Sequence, residues 1–386
     1  MPIIFVFALN VFNTASIIGN RVMLALFALH LGATPITVGL LGAMFAMFPT
    51  LLAVTAGRLC DRYGSRYLMM FGTMGATLGM LTPYFWPSLT TLMVAALMCG
   101  FSQVCFNVST QNLTGLLSAP EDRARNFSNY ALTNSAGQFA GPLLGGFAID
   151  RLSYTSACLL MAIFASIPLF MLALRRKPLE ADAVKRKKGD RPAPGVGAGA
   201  LAMLKDPNIR RTLYTGSLLN SGNNLYLFYM PVYAHSVGVS ASLIGIVMAM
   251  QSTAAFVVRS VLPWLISRWE EDTVLARSFF VGAASLMLIP FFKDAWILGL
   301  LSFTFGMGMG VGQPIVTMQM FTNSAEGRSA EGIGLKMTTN NLTKLVSPVV
   351  FGAIASAFGL FPMFWLNALL LGTGGWLSRP GNKNSV

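Results

Sequence analysis

The 386-residue sequence predicts an all-α membrane protein: twelve transmembrane helices in two pseudo-symmetric six-helix bundles, both termini cytoplasmic. Three observations carry that prediction. Hydrophobic residues make up 54% of the chain and charged residues only 11%, against about 25% charged in a soluble domain, so there is too little charge to cover a soluble surface. Twelve apolar runs have about the 20-residue length that a bilayer span requires. Glycine and polar positions in the first half recur in the second at a fixed offset of 206 residues, as in Gly39 and Gly245.

Taken in order, the first run, 3–31, has no Lys or Arg before it and is too long for the apolar region of a signal peptide, so it reads as a first span. Runs 36–58 and 68–86 flank a short basic loop. Run 88–112 carries Gln103, Asn107 and Gln111 at i, i+4 and i+8, on one helix face. Run 128–150 is rich in Gly and ends at Asp150, and 154–174 is uniformly apolar. In the second half, 209–234 holds Asn220, Asn223, Asn224 and Tyr226, and 241–266 holds Arg259. Runs 273–292 and 294–320 follow, the latter with Gly306, Gly308, Gly310 and Gly312 before Pro314. Run 333–357 contains Lys336 and Lys344, and 360–378 closes the series. Outer-membrane β-strands would be alternating segments of about ten residues, and these runs are longer and continuously apolar.

The net charge of +13 is not a nucleic-acid footprint, because the basic residues lie between apolar runs. Of 27 Lys and Arg, 22 fall in the loops after even-numbered spans, at the span ends adjoining those loops, or in the C-terminal tail, which places those loops and both termini in the cytoplasm. Eleven of them lie between Arg175 and Arg211, interrupted by Pro178, Pro192 and Pro194. The chain therefore divides into a six-helix bundle at 1–174, a basic cytoplasmic linker at 175–208 that faces anionic lipid heads, and a second bundle with a short tail at 209–386. Cys60, Cys99, Cys105 and Cys158 lie singly in apolar runs, and there are two His, so neither a disulfide framework nor a metal site is expected. No phosphate-cradling loop and no nucleophile–base arrangement is present, so no cofactor and no enzymatic activity are expected. The expected partners are a small-molecule substrate and the lipid bilayer, with no nucleic acid, and the chain is expected to be a monomer.

The repeat extends through the chain. Gly32, Gly39 and Met44 align with Gly238, Gly245 and Met250; Gly100 and Asn107 with Gly306 and Gln313; Asn134, Pro142 and Gly146 with Asn340, Pro348 and Gly352. Duplicated halves with a site between them are the architecture of an alternating-access carrier.

The loop after the second span reads Gly57-Arg58-Leu59-Cys60-Asp61-Arg62-Tyr63-Gly64-Ser65-Arg66. It resembles the G-x-L-x-D-[RK]-x-G-x-[RK] signature of the major facilitator superfamily, and the twelve-span topology is similar throughout. The resemblance implies secondary transport and a conformational latch built from Gly57, Asp61, Arg62, Gly64 and Arg66. The second half has Ser267 in place of Asp61, so one latch carries the full charge set. The fifth span, Gly137-Gln138-Phe139-Ala140-Gly141-Pro142-Leu143-Leu144-Gly145-Gly146, looks like the signature of the family's antiporters. Its Gly137, Gly141, Gly145 and Gly146 also suit plain close helix packing, with Pro142 bending the helix. The matching Arg on the fourth span is absent.

Charge inside a membrane is costly and usually functional. Arg21 and Lys344 lie deep in spans of opposite halves, and no Asp or Glu lies at comparable depth. Arg259 lies in the cytoplasmic third of its span, with structural and functional readings balanced. A substrate-binding set of Arg21, Gln103, Asn107, Asn134, Asn224, Gln313, Asn340 and Lys344 follows, suited to a small polar or anionic organic solute. The alternatives are a proton-coupled multidrug or metabolite efflux antiporter and, in a different class, a non-transporting sensor on the same fold.

Overall fold

The computed structural model describes residues 2–118, 122–175, 203–323 and 329–380. Twelve long helices account for almost all of them: α1 Pro2–His30, α2 Pro35–Tyr63, α3 Ser65–Phe85, α4 Leu89–Leu116, α5 Arg123–Arg151, α6 Tyr154–Leu174, α7 Pro207–Ser236, α8 Ala241–Arg268, α9 Glu271–Leu288, α10 Ala295–Asn323, α11 Ser329–Phe358 and α12 Leu360–Leu377. Each overlaps one expected span. Nine are long and apolar enough to cross a bilayer by length and composition alone. The other three are diluted by residues with interior work. In α3 these are glycines and threonines, and in α5 and α7 they are Asn, Ser, Thr and Gln. Residues 176–202, the greater part of the expected linker, lie outside the described residues.

Helix starts follow local chemistry. The hydroxyls of Ser88, Ser153 and Ser240 accept from the backbone N–H groups of Thr91, Ser156 and Leu243, and the Asp206 carboxylate accepts from that of Asn208. Gly32 and Gly238 sit at φ 81° and 88° in the turns after the first helix of each half, a conformation that costs other residues steric energy. They are 206 residues apart.

The same offset governs packing. In the first half α1 packs on α4, α5 and α6, while α3 packs on α4 and α6. In the second half α7 packs on α10, α11 and α12, while α9 packs on α10 and α12. Thr14 donates to Asn134 Oδ1 at 3.2 Å, and Asn220 donates to Asn340 Oδ1 at 2.6 Å; both pairs are related by 206. Within the first half, a Cβ at Gly137 would lie 2.6 Å from Thr14 Cβ, one at Gly141 2.6 Å from the Ala15 carbonyl oxygen, and one at Gly145 2.7 Å from that of Gly19. These three glycines let the α5 backbone lie directly on α1.

The halves meet at the end remote from the chain termini, through α2 on α11, α5 on α8 and α1 on α7. Gly39 faces the Pro348 carbonyl and Gly245 the Pro142 carbonyl, both too closely for a side chain, and Gly146 is equally tight against Ala241. Ser356 accepts from the Ile36 N–H at 3.0 Å, and the Asp150 carboxylate accepts from the Ala241 and Ser242 N–H groups at 3.2 and 2.7 Å. Each half thus caps the first turn of a helix in the other. The cap residues Asp150 and Ser356, and the capped residues Ile36 and Ser242, are again 206 apart.

Candidate functional site

Between the halves lies a polar cavity of about 60 Å³, lined by Arg21 of α1, Gly42, Ala46 and Pro49 of α2, Gln103 and Asn107 of α4, Asn224 and Phe228 of α7, and Asn341 and Lys344 of α11. Its size is that of about two water molecules. Among the described residues no carboxylate lines it.

The Arg21 guanidinium is held on three sides. Its Nη2 donates to Gln103 Oε1 at 2.8 Å, and it lies 5.2 Å from the centre of the Phe45 ring and 5.8 Å from that of Phe228. Cation–π attraction from rings in both halves favours that position. Its Nε is buried with no hydrogen-bond partner, as is Asn224 Nδ2. Lys344 is accessible and forms no hydrogen bond or ion pair among the described residues. Three donors without a hydrogen-bond partner, two of them cationic, therefore belong to residues that line one cavity.

Five of the eight residues expected to bind substrate line this cavity: Arg21, Gln103, Asn107, Asn224 and Lys344. Gln313 lines a second cavity of about 60 Å³ with Gln138, Asn220, Asn223, Gln251, Ser252 and Arg259. Asn134 and Asn340 are engaged in the α1–α5 and α7–α11 hydrogen bonds described above. Phe45, Phe228 and Asn341 were not expected from sequence. Phe228 stands one turn from Asn224 on the same face, and that spacing is the signal that could have found it.

The loop expected to act as a latch joins α2 to α3. Gly64 takes φ 86° and its N–H bonds back to the Cys60 carbonyl at 2.9 Å. The Arg62 guanidinium lies 5.2 Å from the Tyr63 ring centre, Arg66 Nε is buried without a partner, and open space surrounds Gly57. The Asp61 side chain lies outside the described residues.

A larger cavity, about 630 Å³, opens at the terminal end of the second half beside Arg211, Glu270, Glu271 and Asp272. There Arg211 pairs with Asp272 at 3.5 Å and donates to the Leu377 carbonyl at 2.8 Å. Its cation is already matched, unlike those at the centre.

Duplicated six-helix halves closed at one end around a buried polar site define a membrane transporter. The family model of the Major Facilitator Superfamily matches residues 3–343, and the chain belongs to that family. It is 22% identical over 329 residues to the class H tetracycline resistance protein of Pasteurella multocida, covering 82% of this chain and 79% of the relative. It is 23% identical over 356 residues to the quinolone resistance protein NorA of Staphylococcus aureus, covering 91% and 89%. A crystal structure of a mutant of the nucleoside transporter NupG superposes with a TM-score of 0.83 at 11% identity, covering 98% of this chain and 99% of that one. The chain is thus a multi-pass protein of the plasma membrane that carries a small molecule.

Proposed function

We propose that this transporter carries a small organic anion through the central cavity by alternating access. The observation behind the reading is the convergence of Arg21 and Lys344, from opposite halves, on a cavity with unpaired donors and no carboxylate. Neither cation has a carboxylate partner among the described residues, and an anionic solute supplies one to both. Because the two cations belong to different halves, the bound anion is contacted by both, and its binding energy bears on how the halves are arranged. The Lys/Arg distribution supports a cytoplasmic terminal end, which on this reading leaves the packed end facing outward.

The experiment is a titration of small organic anions against purified protein, followed by thermal stabilisation. An anion that stabilises the wild type but not Arg21→Gln or Lys344→Gln supports the reading. Equal stabilisation of all three proteins removes these residues from the site. The resemblance in sequence to drug-resistance proteins supports a second reading, proton-coupled export of uncharged or cationic compounds. That reading requires transport to follow an imposed pH gradient steeply, with cationic drugs competing for the site.

A further inference from the structure

The second cavity is the counterpart of the first. Ala46, Pro49, Gln103, Asn107 and Lys344 line the first cavity, and their mates at an offset of 206, namely Ser252, Ala255, Met309, Gln313 and Gln138, line the second. The chemistry is not symmetric. The first cavity has cations at Arg21 and Lys344, whose mates are Leu227 and Gln138. The second has its own cation, Arg259, whose mate is Ala53. Its Nε donates to the Gly310 carbonyl at 3.1 Å and its Nη1 to Ser135 Oγ at 3.3 Å. A guanidinium has five N–H groups, so these two bonds leave others on a residue that lines the cavity.

The two cavities share a wall in α7. Asn220 and Asn223 line one, and Asn224 and Phe228 line the other. At 3.6 residues per turn, these four positions cover one continuous arc of α7. A solute that follows this face meets the lining of both. The charge count points the same way. Among the described residues three cations line the two cavities, and no Asp or Glu lines either. A monoanion would leave two of those charges uncompensated in a region of low dielectric.

We infer that Arg259 forms a second anion subsite, and that the cargo is a compact dianion such as a dicarboxylate, one acid group held by Arg21 and Lys344 and the other by Arg259 with the amides of Gln138 and Gln313. This rests on the central anion site proposed above.

The test is calorimetric titration of purified full-length protein with matched pairs, succinate against butyrate and adipate against hexanoate, in wild type, Arg21→Gln, Arg259→Gln and Arg259→Lys. The expected result is that a diacid binds the wild type at least about tenfold more tightly than its monoacid, the range for a hydrogen bond to a charged group. Arg259→Gln should erase that preference and leave the monoacid affinity unchanged, whereas Arg21→Gln should weaken both. Arg259→Lys, which keeps the charge, should keep part of the preference. Equal wild-type affinity within each pair overturns the second subsite while leaving the central site standing, and needs no variant to fold. Arg259→Gln binding diacid as tightly as wild type overturns it as well. Failure of every probe to bind the wild type, or insensitivity to Arg21→Gln, overturns both readings.

Discussion

Arg21 lines the cavity, is fixed by one amide and two aromatic rings, and still has a buried N–H without a partner. A group so placed is oriented before the solute arrives, which lowers the cost of binding. Neutralising Arg21 or Lys344 should weaken anion binding by about 1.5–3 kcal/mol, the range for hydrogen bonds to charged groups, with expression preserved because neither change strands a carboxylate partner. Lys344→Arg should be only partly tolerated, since a planar fork does not reproduce a point charge. Affinities from isothermal titration of the purified variants check these expectations. Gln103→Leu should act through Arg21: anion affinity falls in the wild-type background and hardly changes when Arg21 is already Gln, a coupling that a double-mutant cycle measures. At this scale the sequence was informative about charge. Arg21 and Lys344 stand out as cations in apolar runs, whereas Phe45 and Phe228 are two of 28 phenylalanines and nothing local marks them. Asn134 and Asn340 show the converse limit. Their depth in the membrane was readable, but whether a polar side chain at that depth faces a neighbouring helix or a cavity depends on helix rotation.

Among the elements, glycine contacts divide into two kinds with different expected consequences. Gly141 lies on α1 within one half, so Gly141→Ala should destabilise that half by about 1–3 kcal/mol, the cost of overpacking, read as a lower melting temperature. Gly245 lies on the Pro142 carbonyl across the interface. Gly245→Ala should leave each half folded and instead spread the outer ends of α5 and α8. Thiol labelling of a cysteine introduced near Ser242 from the outside should then rise, with melting little changed. Asp150→Asn removes a carboxylate from the exposed N-terminal turn of α8 and should shift the same labelling in the same direction by a smaller amount, about 0.3–1 kcal/mol. Helix boundaries were legible because the apolar runs end at Gly32, Gly64 and Gly238, at capping serines and at basic clusters. The reciprocal caps were not, although the offset that pairs Asp150 with Ser356 was present in the sequence. A cap between helices distant in the chain has no local signature, and only the packing of α5 on α8 and of α11 on α2 brings the partners together.

For the whole molecule, the duplicated halves are packed alike, and the contacts at one end have symmetry-related counterparts on either side of the central cavity. On the alternating-access reading proposed above, closing the opposite end requires those contacts to yield, and a solute that bridges Arg21 and Lys344 would supply differential binding energy for the rearrangement. Among the described residues no carboxylate lines either central cavity, so transport should depend only weakly on an imposed pH gradient, checked by comparing initial rates with and without one. The twofold architecture was the most legible feature of the sequence, because a register kept over many helices reports a duplication whatever each residue does. The asymmetry of the cations between the cavities was visible as residue identity, but its meaning required the cavities. The central claim is that an anion passes through a site shared by Arg21 and Lys344. It is tested most directly by uptake of a labelled organic anion, chosen by the stabilisation titration, into proteoliposomes holding wild-type protein or Lys344→Gln. Saturable uptake by the wild type, with at least about a tenfold loss in Lys344→Gln at subsaturating solute, is the predicted result. Uptake by Lys344→Gln at the wild-type rate would contradict it.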